Sequence, residues 1–153
     1  MALLHHQYPV AAIWTGGRDG SGEVKIGPNS VQLKVAPEFG GPGGEANPEE
    51  LLTSAVVSCY AITLGIVAKN RRLPVLFMSV EAIGHVEQDG VNYTFTSITL
   101  RPTITVAPDA TDEQIAMAED TAHRAERYCI ITNAVRDKVA ISVEPRVVRG
   151  SVS

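Results

Sequence analysis

The chain has 153 residues, of which 44% are hydrophobic and 20% charged, and a net charge of −4 at pH 7. That size suits one domain with its own core, residues 1–153, and the composition excludes a disordered chain. The mildly acidic balance, with no basic run longer than Arg71-Arg72, excludes nucleic acid as a partner.

The start, MALLHHQYPV, has no charged n-region and no long apolar h-region, so no secretory signal is expected. Ala11–Trp14 is short and apolar and is expected to be a first strand, with Trp14 in the core. Thr15–Gly22, TGGRDGSG, reads as a turn. Glu23–Ile26 and Val31–Val35, joined through Gly27-Pro28-Asn29, read as a β-hairpin. Pro37–Ala46 is a loop rich in glycine and proline. It lacks both the Gly-Lys-Ser/Thr and the GxGxxG spacing of a phosphate cradle, so a loop passing close to other backbone is the expectation.

The segment from Asn47 to Ala68 dominates the chain. Asn47 is placed to cap a helix, Pro48 falls at its first position, and Glu49 and Glu50 suit the positive end of the dipole. Glu50 stands three after Asn47, as in a capping box. From Leu51 to Ala68 no residue is charged and apolar side chains occupy every face, which predicts a helix buried all round. Eighteen uncharged residues reach the lower limit for a bilayer span. Thr53, Ser54, Ser58 and Thr63 dilute them, and a core helix with no membrane is the reading preferred. So modest a chain needs a second copy of itself to cover such a helix. Lys69, Arg71, Arg72 and Pro74 close the segment.

Val75–Glu87 and Val91–Val106 are two β-rich runs joined through Gln88-Asp89-Gly90. Pro102 marks the second as an edge or a bulge. Thr111 and Gln114 form a second capping box, and Ile115, Ala118, Ala122 and Ala125 give a narrow apolar stripe on the helix that follows. Cys129 falls at the next step of that stripe. Ile130–Asp137 is a short further helix, and Ala140–Val148 returns to strand. The order predicts an α+β fold, mainly antiparallel.

Cys59 lies in the middle of the apolar helix. It is either a small core hydrophobe or, with a cation and hydrogen-bond donors nearby, a reactive thiolate. Cys129 is the other cysteine, seventy positions on; there is no CxxC and no zinc-ligand spacing, and no metal or cofactor is expected. Two cysteines without an export signal point to a reducing cytoplasm.

NPEELLTSAVVSC, from Asn47 to Cys59, resembles the signature of the OsmC/Ohr family of thiol peroxidases. The preceding GGPGGEANPE, the TGGRDG segment with Arg18, and HRAERYC ending in Cys129 are similar to the Ohr branch in kind and order. The match departs at Cys129-Ile130-Ile131-Thr132, where the family usually has Cys-Pro-x-Ser, so the subfamily is either Ohr or an Ohr-like third branch.

The resemblance implies antiparallel sheets around a long buried central helix, in an intertwined homodimer with active sites at the interface. It implies an enzyme that reduces organic hydroperoxides, with Cys59 peroxidatic and Cys129 resolving. Arg18 and Glu49 would activate the site, and a dithiol such as a lipoylated protein would regenerate it. Residue chemistry agrees: a guanidinium can lower a thiol pKa and stabilise charge on a departing oxygen. A glutamate beside the thiolate would do the opposite, so Glu49 is expected to hold the guanidinium. On one helix Glu49 and Cys59 stand about 15 Å apart along the axis, so a shared site is expected to draw them from two chains.

Other readings carry less. A dimeric binding or scaffold protein of the same fold would not require all four of these residues. A Cys–His hydrolase would use His85 or His123, which the strand and polar-helix patterns place as ordinary solvated histidines. His5 and His6 lie at a terminus. Glu119, Arg124, Glu126 and Arg127 read as a solvated helix face, and Thr53, Ser54 and Ser58 as residues that bond back to their own helix.

Overall fold

The computed structural model describes residues 2–152. It comprises two compact units, one through Leu51 and one from Leu52 onward.

The first unit is a three-stranded antiparallel sheet in the order β1 (Ala11–Thr15), β2 (Ser21–Ile26), β3 (Asn29–Leu33). Ile26 pairs with Asn29, so the hairpin loop is the two residues Gly27-Pro28, with Gly27 at φ 57°. A two-residue loop needs such a backbone at its first position, and glycine adopts it without strain. After β3 the chain makes a single 3₁₀ turn at Pro37–Phe39, then the glycine-rich segment. Gly41 passes so close to Val35 that a Cβ would meet the Val35 carbonyl oxygen at 2.1 Å, as the close-approach expectation requires. Trp14, expected in the core, is instead 43% exposed, because β1 carries an exposed side chain at every position. Its indole N–H donates to the Gly16 carbonyl at 3.0 Å.

Helix α1 (Pro48–Asn70) is unbroken over 23 residues. Its start is built as the sequence proposes: the Asn47 side-chain oxygen accepts from the Glu50 N–H at 2.9 Å, and the Asn47 amide donates to the Glu50 carboxylate at 2.8 Å. At its other end Arg72 takes the left-handed conformation, φ 56°. The N–H of Leu73 reaches the Ala68 carbonyl and that of Arg72 the Lys69 carbonyl, which is a Schellman closure.

In the second unit, β4 (Val75–Asp89) and β5 (Asn92–Val106) form a long antiparallel pair around the loop Gly90-Val91. Strand β5 is central. Its other side pairs in parallel with β6 (Ala140–Val143) and then β7 (Arg146–Arg149). Two expectations are corrected here. The single closing strand is two, separated by Glu144-Pro145. Pro102 marks neither an edge nor a bulge: it is buried in the central strand, opposite Val80. It falls between the last residue paired with β6, Leu100, and the first paired with β7, Thr103. There β5 has no ladder partner on that side, so a residue without an N–H is tolerated.

Helix α2 (Asp112–Tyr128) opens with the reciprocal Thr111–Gln114 capping box and buries Ala118, Ala122 and Ala125 completely. Alanines there let α2 pack closely on the sheet. The core joins Ile98, Leu100, Ile104 and Val106 of β5 to the α2 alanines and to Val56, Tyr60 and Leu64 of α1. Tyr60 is the largest of these; its hydroxyl donates to the Ala122 carbonyl at 2.6 Å, which satisfies the polar end of a wholly buried ring. Full burial of each such side chain stabilises by roughly 1.5–3 kcal/mol.

Burial of α1 on every side is not what one chain provides. Only Val56, Tyr60, Leu64 and Ala68 are buried, one stripe at four-residue spacing, while Ile62 and Ile66 remain 66% and 56% exposed. By length and composition α1 is apolar enough to cross a bilayer. Its buried stripe packs into the core cluster, which makes it the fold's core helix.

Candidate active site

The four residues singled out from sequence divide between the units. Cys59 and Cys129 belong to the second, Arg18 and Glu49 to the first.

Cys59 sits midway along α1, half-buried, three residues beyond Val56 and one before Tyr60. Cys129 is wholly buried at the junction of α2 and the short helix α3 (Ile130–Val135). It closes α2 and caps α3: its sulfur accepts the Thr132 N–H at 3.4 Å, the contact an N-cap serine would make. The junction is held from outside. Arg136 donates to the Asn133 side chain and to both the carboxylate and the backbone carbonyl of Glu126, and Asn133 donates to the Arg127 carbonyl at 3.1 Å.

Both cysteines are free thiols and they face each other. Their acidities diverge. Burial would raise the Cys59 thiol, but the hydrogen bond from the Cys129 thiol, those from the Ile131 and Ile130 backbone and that from the Thr63 hydroxyl together hold it below the ordinary thiol value. Burial pushes the Cys129 thiol up, and donating to Cys59 pushes it further, while its contacts with Thr132 oppose the shift. One sulfur is therefore suited to be the thiolate and the other its proton-bearing partner.

Sequence reasoning missed Thr63, Ile130 and Ile131. Thr63 was legible, since it stands one turn after Cys59 and so on the same face of α1. The other two act through backbone N–H groups, which leave no mark on residue type.

In the first unit Glu49 lines a cavity of about 310 Å³ whose other walls are Trp14, Leu33, Lys34, Val35, Ala36, Phe39 and Pro48. The walls are overwhelmingly apolar, as suits an apolar ligand. Arg18 lies on the exposed turn between β1 and β2, against Gly40: a Cβ at Gly40 would meet Arg18 Cδ at 3.0 Å. The glycine-rich segment thus makes room for an arginine side chain at Gly40 and for backbone at Gly41.

His85 and His123 are exposed, on β4 and α2, and neither is among the groups that set the Cys59 thiol. His85 instead contacts the Thr99 hydroxyl at 3.3 Å. Among the described residues no cluster of three His, Cys, Asp or Glu could hold a metal ion.

Residues 41–144 match the family model described as OsmC-like protein. The chain is 30% identical over 148 residues to the protein YmaD of Bacillus subtilis (strain 168), covering 97% of this chain and 99% of that one. Its fold is similar to that of an organic hydroperoxide resistance protein from Elizabethkingia anophelis, at 25% identity and a TM-score of 0.69, over 96% of this chain and 100% of the other. It is similar too to the organic hydroperoxide resistance protein OsmC from Legionella pneumophila, at 23% identity and a TM-score of 0.73, over 94% and 100% of the two chains.

Proposed function

The chain belongs to the OsmC-like protein family, and on that premise we propose that it is a cysteine-based peroxidase reducing organic hydroperoxides. The observation that carries this reading is the Cys59–Cys129 pair: two facing free thiols, one lowered and one raised in pKa, contributed by different helices. A core cysteine alone would need neither a partner nor donors.

In this reading the Cys59 thiolate attacks one oxygen of the hydroperoxide. The O–O bond breaks, and the alkoxide leaves with a proton as the alcohol. Cys59 becomes a sulfenic acid. The Cys129 sulfur then attacks the Cys59 sulfur, water leaves, and a disulfide joins the two. An external dithiol, a lipoyl group on a protein being the type expected, returns both cysteines to thiols and becomes a disulfide itself. Arg18 stabilises the charge on the departing oxygen, and Glu49 fixes the guanidinium.

Helix geometry bears on how these residues meet. Because α1 is unbroken, ten residues of rise, about 15 Å, separate Glu49 from Cys59 of its own chain. We therefore assign the complete site to a homodimer in which Glu49 of one protomer serves Cys59 of the other. The uncovered face of α1 at Ile62 and Ile66 agrees with a second copy packing there. Residues 1–153 then form one domain of this family, acting in the cytoplasm where dithiol reductants keep the pair reduced.

The apolar cavity beside Glu49 supports a preference for organic over hydrogen peroxide. The test is a steady-state assay of cumene hydroperoxide against hydrogen peroxide, with dihydrolipoamide or thioredoxin as reductant. Turnover that needs the organic peroxide and Cys59 supports the enzyme. Full activity in Cys59→Ser would end the proposal, and no turnover with any peroxide would leave a binding protein of this fold. Sedimentation tests the assembly: a fully active monomer would rule out a shared site.

A further inference from the structure

The cavity of about 310 Å³ lies wholly within the first unit, and two of its walls, Trp14 and Phe39, are aromatic. We infer that Trp14 determines specificity: its indole is the fixed platform on which the ring of an aryl hydroperoxide packs, so that aryl substrates are preferred to straight-chain ones of similar apolarity. The inference rests on the peroxidase reading above, which it narrows from organic hydroperoxides at large to those that carry a ring.

The indole is held by its own sheet. Its N–H donates to the Gly16 carbonyl at 3.0 Å, which satisfies the one polar atom of the side chain. The ring edge lies over Gly22, the residue paired with Trp14 across the β1–β2 ladder. A Cβ at Gly22 would meet indole Cε3 at 2.8 Å, so the glycine makes the room that the ring occupies. Trp14 therefore has a set conformation although it is 43% exposed. It is a rigid apolar surface without a covered face of its own.

The rest of the cavity favours a ring as occupant. Leu33, Val35 and Pro48 are apolar walls, and about 310 Å³ lies at the lower end of the roughly 300–1,000 Å³ of small-molecule sites. A straight chain entering so small a space gives up several freely rotating bonds, and a ring gives up none. Aromatic faces also attract one another beyond the area they bury, by about a factor of five per pair. Glu49 lines the same cavity, which ties the platform to the residues proposed to activate the peroxide.

Trp14 is the only tryptophan of the chain, so its emission reports on the cavity without a label. The probe is 2-phenylpropan-2-ol, the alcohol that corresponds to cumene hydroperoxide. It cannot be reduced, so binding is read apart from turnover. Titrated into the reduced full chain, it is expected to shift the emission saturably to shorter wavelength, as the ring displaces water from the indole. Hexan-1-ol, of similar apolarity, is expected to bind about fivefold more weakly. In steady-state assays the preference for cumene over hexyl hydroperoxide, taken as the ratio of their kcat/KM values, should fall about fivefold in Trp14→Leu. Trp14→Phe, which restores a ring, should recover most of it.

Emission that ignores the aryl alcohol, or equal affinity for the two alcohols, would overturn the inference. So would an unchanged selectivity ratio in Trp14→Leu. Should that variant not fold, the titration of the native protein decides alone. A saturable, ring-selective shift in a protein that turns over no peroxide would uphold the aryl site and remove the peroxidase reading, so the two failures are told apart.

Discussion

Replacement of Cys129 separates two roles that one residue combines. Its thiol is the leading hydrogen-bond donor lowering Cys59, and in the proposed cycle its sulfur also resolves the sulfenic acid. Cys129→Ser keeps a donor and loses the resolving sulfur; Cys129→Ala loses both. A hydrogen bond to a charged group contributes about 1.5–3 kcal/mol. Cys59 is only half-buried, so solvent screening brings the value to the lower end, about a tenfold change in thiolate fraction. About threefold of this returns through the greater nucleophilicity of the less stabilised sulfur. In single-turnover reduction of cumene hydroperoxide below the thiol's midpoint, Cys129→Ala should react about threefold slower than native, and Cys129→Ser close to native. Neither should turn over. The alanine variant also opens a small void at a wholly buried site, so its stability is to be checked alongside. Equal first-turnover rates for alanine and serine would refute the donor role. Sustained turnover in either would refute the resolving role.

Other outcomes follow from the same structure. The native first-turnover rate should rise with pH and reach its plateau below the pH at which an unperturbed thiol ionises, because Cys59 is lowered. Gly40→Ala would press a methyl group against Arg18 Cδ, 3.0 Å away, and should lower peroxidase turnover while leaving the Cys59–Cys129 reaction with a disulfide probe intact. Tyr60→Phe should cost about 1 kcal/mol in chemical denaturation through loss of the bond to the Ala122 carbonyl, and Tyr60→Ala roughly 3–5 kcal/mol. Arg71 holds the Asp120 carboxyl below its ordinary range, burial opposing and Arg124 assisting. A lowered carboxylate stabilises the fold at pH above its ordinary midpoint, and this is lost as pH falls through the folded one. Asp120→Asn should therefore flatten the acid limb of the stability profile.

Much of this was legible in the residues. The Asn47 cap, the Thr111–Gln114 box and the alanine stripe of α2 were readable because each is a local contact within a turn or two of helix. Pro102 was misread because its tolerance depends on where β6 ends and β7 begins, strands about forty residues further along the chain. Trp14 was misplaced because residue type says nothing of whether β1 has a covered face. The apolar residues on every face of α1 were legible, and one chain buries a single stripe of them, which leaves the remaining faces for the second copy that the sequence reading expects. At the site, the pairing of Cys59 with Cys129 came through family resemblance alone, since seventy residues separate them and no spacing rule links them. The backbone groups of Ile130 and Ile131 that help lower the Cys59 thiol were invisible, because a peptide N–H leaves no mark on residue type.

The central claim is that Cys59 and Cys129 act together on a peroxide. Treating the reduced protein with one equivalent of cumene hydroperoxide and mapping its peptides by mass spectrometry addresses this directly. The account predicts one peptide pair joined through Cys59 and Cys129, lighter by two hydrogens, with one equivalent of alcohol released. Two intact thiols beside unconsumed hydroperoxide would contradict it.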